Sequence, residues 1–81
     1  MAYYEEYLSD SNNGWDVTIY WNAAYGDTSA YVSWTINKNS YGRTFQLVER
    51  YATSNRYNSG SYLTVGTEYW FYVYKNGSYS Q

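Results

Sequence analysis

Large apolar side chains at every second position, Trp15, Val17, Ile19 and Trp21, alternate with Asp16, Thr18, Tyr20 and Asn22. A period of two puts the first set on one face of an extended strand, whereas a helix would scatter it around its axis. The rhythm returns in Ala30, Val32, Trp34 and Ile36, set against Tyr31, Ser33, Thr35 and Asn37. It returns again in Tyr69, Phe71 and Val73, set against Glu68, Trp70, Tyr72 and Tyr74. These segments predict three half-buried strands. Residues 44–51 predict a fourth with Phe45 and Leu47 inward, although Val48 breaks the alternation and marks a bulge or a second covered face. Residues 61–65 predict a shorter fifth. Stretches 22–29, 37–42 and 54–60 are rich in Asn, Ser and Gly and read as turns. Residues 3–8 offer at most a helical turn. With no internal repeat and no linker, residues 1–81 read as one domain, 1–14 being an N-terminal arm or an edge strand.

What such strands can bury is set by composition. The 81 residues contain no Cys and no His, so neither a disulfide nor a Cys/His zinc site can staple the fold. Leu, Ile, Val and Phe together supply only 12 residues, few enough for a disordered chain, but aromatic residues make up 25% of the sequence, including 14 Tyr and four Trp. A folded domain with an aromatic core follows, and Trp15, Ile19, Trp21, Val32, Trp34, Phe71 and Val73 are its expected inter-sheet members. Five Lys and Arg against seven Asp and Glu leave a net charge of −2, with no basic stripe for phosphates, which argues against nucleic acid. No apolar run approaches the roughly 18–20 residues that cross a bilayer as a helix, so membrane insertion is not expected. The first residues carry no secretory signal pattern.

One stretch resembles a known family. Leu63-Thr64-Val65-Gly66-Thr67-Glu68-Tyr69-Trp70-Phe71-Tyr72-Val73 is similar to the corner-plus-strand pattern of fibronectin type III domains, Leu-x-Pro-Gly-Thr-x-Tyr-x-Phe-x-Val, with Val65 in place of Pro. Residues 15–21 resemble that family's early core strand, which ends in a Trp. The resemblance implies an all-β fold, a small antiparallel two-sheet sandwich of the immunoglobulin and fibronectin III kind. In it the Tyr69 hydroxyl would return to the backbone near residues 63–66. Two departures stand out: residues 1–14 do not match the family's first strand, and its last strand is nearly missing. Lys75-Asn76-Gly77-Ser78 is a hairpin signal of the Asn-Gly type, yet only Tyr79, Ser80 and Gln81 follow.

A sandwich short of a strand leaves one side of residues 69–75 without backbone partners, and the chain has no Pro to blunt that edge. Residues 1–8 of a neighbouring subunit, or the same segment folding back within the chain, are the expected completion. The resemblance also implies that residues 30–36, 44–51 and 69–75 share a sheet. Tyr31, Trp70, Tyr72 and Tyr74 would then gather on its outer face beside Gln46 and Arg50, and Tyr31, Arg50, Trp70, Tyr72 and Tyr74 are the expected binding residues.

Catalysis has little to work with. A Ser nucleophile would lack a His base, Lys38 and Lys75 fall in turn-like contexts, and the carboxylates show no convergence. The run Asp10-Ser-Asn12-Asn-Gly14-Trp-Asp16 loosely resembles a calcium loop but lacks the later bidentate Glu, so an Asx-rich turn explains it better and no metal or other cofactor is expected. Asn76-Gly77-Ser78 is formally a glycosylation sequon. Two function classes remain. One is a non-enzymatic structural or assembly protein of virion-decoration or extracellular-filament type, associating with itself or with another protein. The other is a monovalent glycan- or protein-binding module of a secreted or cell-surface protein.

Overall fold

The computed structural model of the chain describes residues 2–24 and 26–75. Seven strands run in sequence: β1 (Ala2–Asp10), β2 (Trp15–Ala23), β3 (Ser29–Asn39), β4 (Thr44–Glu49), β5 (Ala52–Tyr57), β6 (Ser61–Thr64) and β7 (Tyr69–Tyr74). They form two antiparallel sheets, a four-stranded one in the order β1-β2-β3-β6 and a three-stranded one in the order β5-β4-β7. The fold is an all-β, sandwich-like arrangement. Antiparallel pairing within each sheet, together with the short crossings at residues 40–43 and 65–68, sets all odd-numbered strands in one direction and all even-numbered strands in the other.

The alternating sequences make these strands for the expected reason. Ala23, Ala30, Val32, Leu47 and Leu63 are buried together, with Ile19, Trp21, Trp34, Tyr57, Tyr69 and Phe71 packed around them. Trp34 meets Phe71 edge-on with ring centroids 5.3 Å apart, and Trp15 meets Phe45 at 5.8 Å. Edge-to-face geometry is what ring quadrupoles favour, so aromatic rings join the two sheets around an aliphatic centre. The fully buried side chains are small, Val17 and Val32, while the indoles of Trp15, Trp21 and Trp34 sit half-buried. Indoles such as those of Trp15 and Trp34 reach across to the other sheet and still meet solvent.

Four expectations need correction. Residues 2–10 are a nine-residue strand, not a helical turn, bonded along β2 from Ala2↔Ala23 to Asp10↔Trp15. That segment therefore does not fold back onto residues 69–75 of its own chain, which lie in the other sheet. Residues 44–51 are not one strand: β4 ends at Glu49, the chain turns through Arg50 and Tyr51, and β5 returns over residues read from their polarity as a turn. An edge strand with mostly exposed side chains carries no apolar alternation to announce it. Third, β3 lies in the opposite sheet from β4 and β7. The four residues between β3 and β4 cross from one sheet to the other, held by Asn39, which accepts from the Arg43 amide at 2.8 Å and donates to the Arg43 carbonyl at 3.0 Å. Finally, Ile36 keeps the inward phase of its strand in sequence but is 44% exposed, because the β2–β3 pairing slips beside it, between Asp16 and Val17. The hairpin signal at residues 75–78 lies largely outside the described residues.

The loop from Asp10 to Gly14 shows how the sheet begins. Asp10 accepts from the backbone amides of Asn12 and Asn13 at 3.1 and 3.2 Å and from the Asn13 side chain at 2.8 Å. These bonds, led by that from the Asn13 side chain, hold the Asp10 carboxyl below its ordinary value, with the Arg43 charge adding to them. The motif is an Asx turn closing the β1–β2 hairpin. Gly14 completes it at φ +68°, where an added Cβ would meet the Ser40 side chain at 2.8 Å.

Candidate functional site

Two surfaces of the three-stranded sheet concern function, and β7 carries both. Its odd-numbered residues, headed by Phe71, face the other sheet, while Trp70, Tyr72 and Tyr74 point away from it. On that outer face Tyr72 and Tyr74 stack at 5.0 Å, and the Arg56 guanidinium lies over both rings, 5.2 and 6.0 Å from their centroids. Tyr74 donates its hydroxyl to Gln46 at 3.2 Å, and Gln46 in turn donates to Asn58 at 2.9 Å. Trp70 stands at the other end of the row, 62% exposed, opposite Val48 on β4. Val48 is only 7% exposed although it points outward, sheltered locally on a face whose Trp70 and Tyr72 stay exposed.

Of the five expected binding residues, the structure brings three together. Trp70, Tyr72 and Tyr74 share the outer face. Arg50 sits at the β4–β5 turn, salt-bridged to Glu68 and with its guanidinium 4.8 Å from the Tyr51 ring centroid. Tyr31 belongs to the other sheet, where it packs on Tyr62 at 5.1 Å across the β3–β6 pair, so the single aromatic cluster does not form. Arg56 takes the place Arg50 was expected to fill. Its position was read as a turn, and once β5 is a strand, the pairing Val48↔Arg56 puts it on the outer face.

The second surface is a cleft of about 360 Å³ between the sheets, lined by Glu6, Leu8, Ile19 and Trp21 on one wall and by Tyr69 and Phe71 on the other. It arises from unequal sheet widths. β7 stacks over β2 and β3, as the contacts of Phe71 with Trp15 and Trp34 show, and β1 extends one strand further with nothing opposite it among the described residues. The outer edge of β7 opens onto this step, and β4 is its one partner strand among the described residues. Glu6 was not singled out by sequence. The available signal was its phase: Glu6 and Leu8 share the inward side of β1, paired with Ile19 and Val17.

At the entrance to β7 the Tyr69 hydroxyl accepts from the Thr64 amide at 3.0 Å, which fixes the turn at Gly66 (φ +97°). The expected backbone bond is present, although the Tyr69 ring is half-buried rather than enclosed. This corner sets where β7 starts, and hence where its open edge lies. Comparison with protein-family models, curated proteins and solved structures returned no match for this chain.

Proposed function

We propose that the protein is a non-enzymatic structural or assembly module, built on a fibronectin III-like sandwich, whose open β7 edge and aromatic outer face make subunit or partner contacts. The observation that carries this reading is the step between the sheets: an edge of β7 with no partner strand among the described residues, beside a cleft of mixed polarity lined partly by aromatic rings. Strand addition at such an edge supplies main-chain hydrogen bonds, and the adjoining pockets select side chains. The strand order supports the finer family reading. Among the described residues, β2, β3 and β6 in one sheet against β5, β4 and β7 in the other, with the Tyr69 corner between β6 and β7, match the order that family has up to the strand before its last, with β1 added. On that alignment the core strand ending in Trp is β3, with Trp34, rather than residues 15–21.

Light scattering during size exclusion, over a range of loading concentrations, tests the proposal. A dimer or larger species that forms as concentration rises is the expected result. A protein still monomeric at several hundred micromolar overturns the assembly reading. The second reading, a monovalent glycan- or protein-binding module, is favoured by the exposed indole of Trp70, whose ring offers a surface for stacking on the same face as the Tyr72–Tyr74 pair.

A further inference from the structure

The usual oxidative cross-linker is missing from this chain, which has no Cys, while 14 of its 81 residues are Tyr. Phenols can also be joined by oxidation when two of them stand together. Among the described residues three tyrosine pairs bring their rings close: Tyr31 and Tyr62 at 5.1 Å, Tyr72 and Tyr74 at 5.0 Å, and Tyr57 and Tyr69 at 5.9 Å. They differ in what restrains them. Tyr57 and Tyr69 meet edge-on, and their hydroxyls are engaged by Glu49 and by the Thr64 amide. Tyr74 is bonded to Gln46, and the Arg56 guanidinium lies over both rings of its pair, where a cation opposes withdrawal of an electron from the ring beneath it. Tyr31 and Tyr62 carry neither restraint. They are 42% and 72% exposed, no cation lies over them, and neither hydroxyl has a hydrogen-bond partner among the described residues.

The fold also holds this pair in place. Tyr31 and Tyr62 are directly opposite each other across the β3–β6 ladder, on the outer side of the four-stranded sheet. Their strand neighbours Ala30, Val32 and Leu63 are buried in the core, which fixes both backbones beneath the rings. The Tyr31 hydroxyl lies over Gly60, 3.5 Å from where a Cβ would stand, so no side chain of that residue screens the pair. Tyr3, in the same row across the sheet, stands two strands from Tyr31, roughly 10 Å away.

The geometry points to Tyr31 and Tyr62 as an oxidative modification site, at which a one-electron oxidant of the peroxidase and peroxide class couples the two rings into a dityrosine that ties β3 to β6. Each phenol gives up one electron and its hydroxyl proton, leaving spin on the ring carbons adjacent to the one that bears oxygen. One such carbon from each ring forms the new C–C bond, and the proton that each carried passes to oxygen to restore the hydroxyls. The pair loses two hydrogen atoms in all, while one hydrogen peroxide is reduced to two waters. Because the sheet holds the rings together, coupling within the molecule outruns coupling between molecules in dilute solution. The link acts as a disulfide does, restricting the unfolded ensemble by closing the chain between residues 31 and 62. It lies on the sheet opposite to β7 and is independent of the assembly reading.

Treatment of the full chain, at low micromolar concentration, with a haem peroxidase and hydrogen peroxide tests the site. The expected product is a monomer lighter by two hydrogen atoms, fluorescing as dityrosine, whose digest holds a cross-linked peptide joining residues 31 and 62. Its urea midpoint should lie above that of the untreated chain. Tyr31→Phe and Tyr62→Phe keep the ring contact, and each should lose this monomeric product. Tyr7→Phe, which removes another exposed phenol on the same face, should retain it. A linkage mapped to another tyrosine pair, dityrosine confined to covalent dimers, or an unchanged yield from Tyr62→Phe overturns the proposal. So does a parent chain that acquires no dityrosine while free tyrosine in the same mixture is coupled. A linked monomer with an unchanged midpoint overturns the stapling role.

Discussion

Tyr69 does two things at once: its ring packs against the core cluster, and its hydroxyl holds the Thr64 amide. Tyr69→Phe keeps the ring and leaves that amide without its partner, so the denaturation midpoint should fall by an amount worth about 1 kcal/mol. An unchanged midpoint would mean that the corner bond contributes nothing to stability. Asp10 acts through charge. Its folded value is lowered, so the stability it confers is complete above the unfolded value of about 3.9 and is lost as pH falls through the lowered one. Asp10→Ala should accordingly be less stable than the parent at neutral pH, and urea titrations should find the gap closing below about pH 4. A gap that stays constant into acid would detach Asp10 from the hairpin turn. Both residues were visible in sequence, Tyr69 through its corner pattern and Asp10 through the Asx-rich run, because each bonds to backbone only a few positions away. Arg56 was not, since its partners Tyr72 and Tyr74 lie far along the chain.

Strands were legible where burial on one face imposes alternation. β2, β3 and β7 could be read from residues such as Val17, Val32 and Phe71. β1 was read only as one of two alternatives, an arm or an edge strand, and β5 not at all, because edge strands with polar or exposed side chains lack that signature: Tyr3 and Tyr7 are exposed on one side of β1, and Glu6 interrupts the other. Which sheet each strand joins was also out of reach of periodicity, since the decision rests on four-residue crossings such as the one Asn39 clamps. That single ambiguity put Tyr31 on the wrong face. The same distinction predicts dynamics. β2, β3 and β4 have a partner strand on each side, whereas β5 is an edge with exposed residues at 53–56. Amide exchange should be slowest in β2, β3 and β4, and fastest among the strands in β5. Equal protection of β5 and β3 would contradict the sheet order.

With no proline and no cysteine in the chain, refolding has neither a prolyl isomerisation nor a disulfide reshuffling step to wait for. Two of the five strand pairings, β3–β6 and β4–β7, join strands distant in sequence, and an all-β sandwich of this kind folds in the range of milliseconds to seconds. Stopped-flow refolding at low protein concentration should therefore end without a phase of tens of seconds, and such a phase would point to a trapped misregister. The uniform alternation of strand directions bears on something else, namely tension. β1 begins at one end of the sandwich and β7, running the same way in the other sheet, finishes at the opposite end. A molecule held at residues 2 and 75 is thus pulled lengthwise, sliding β1 along β2 and β7 along β4. Along the β1–β2 ladder, which engages all nine residues of β1, the bonds share the load instead of breaking one after another as in a peeled hairpin. The same sandwich gripped across its strands would unzip, so its toughness has a direction, and that direction is the one along which β1 and β7 run.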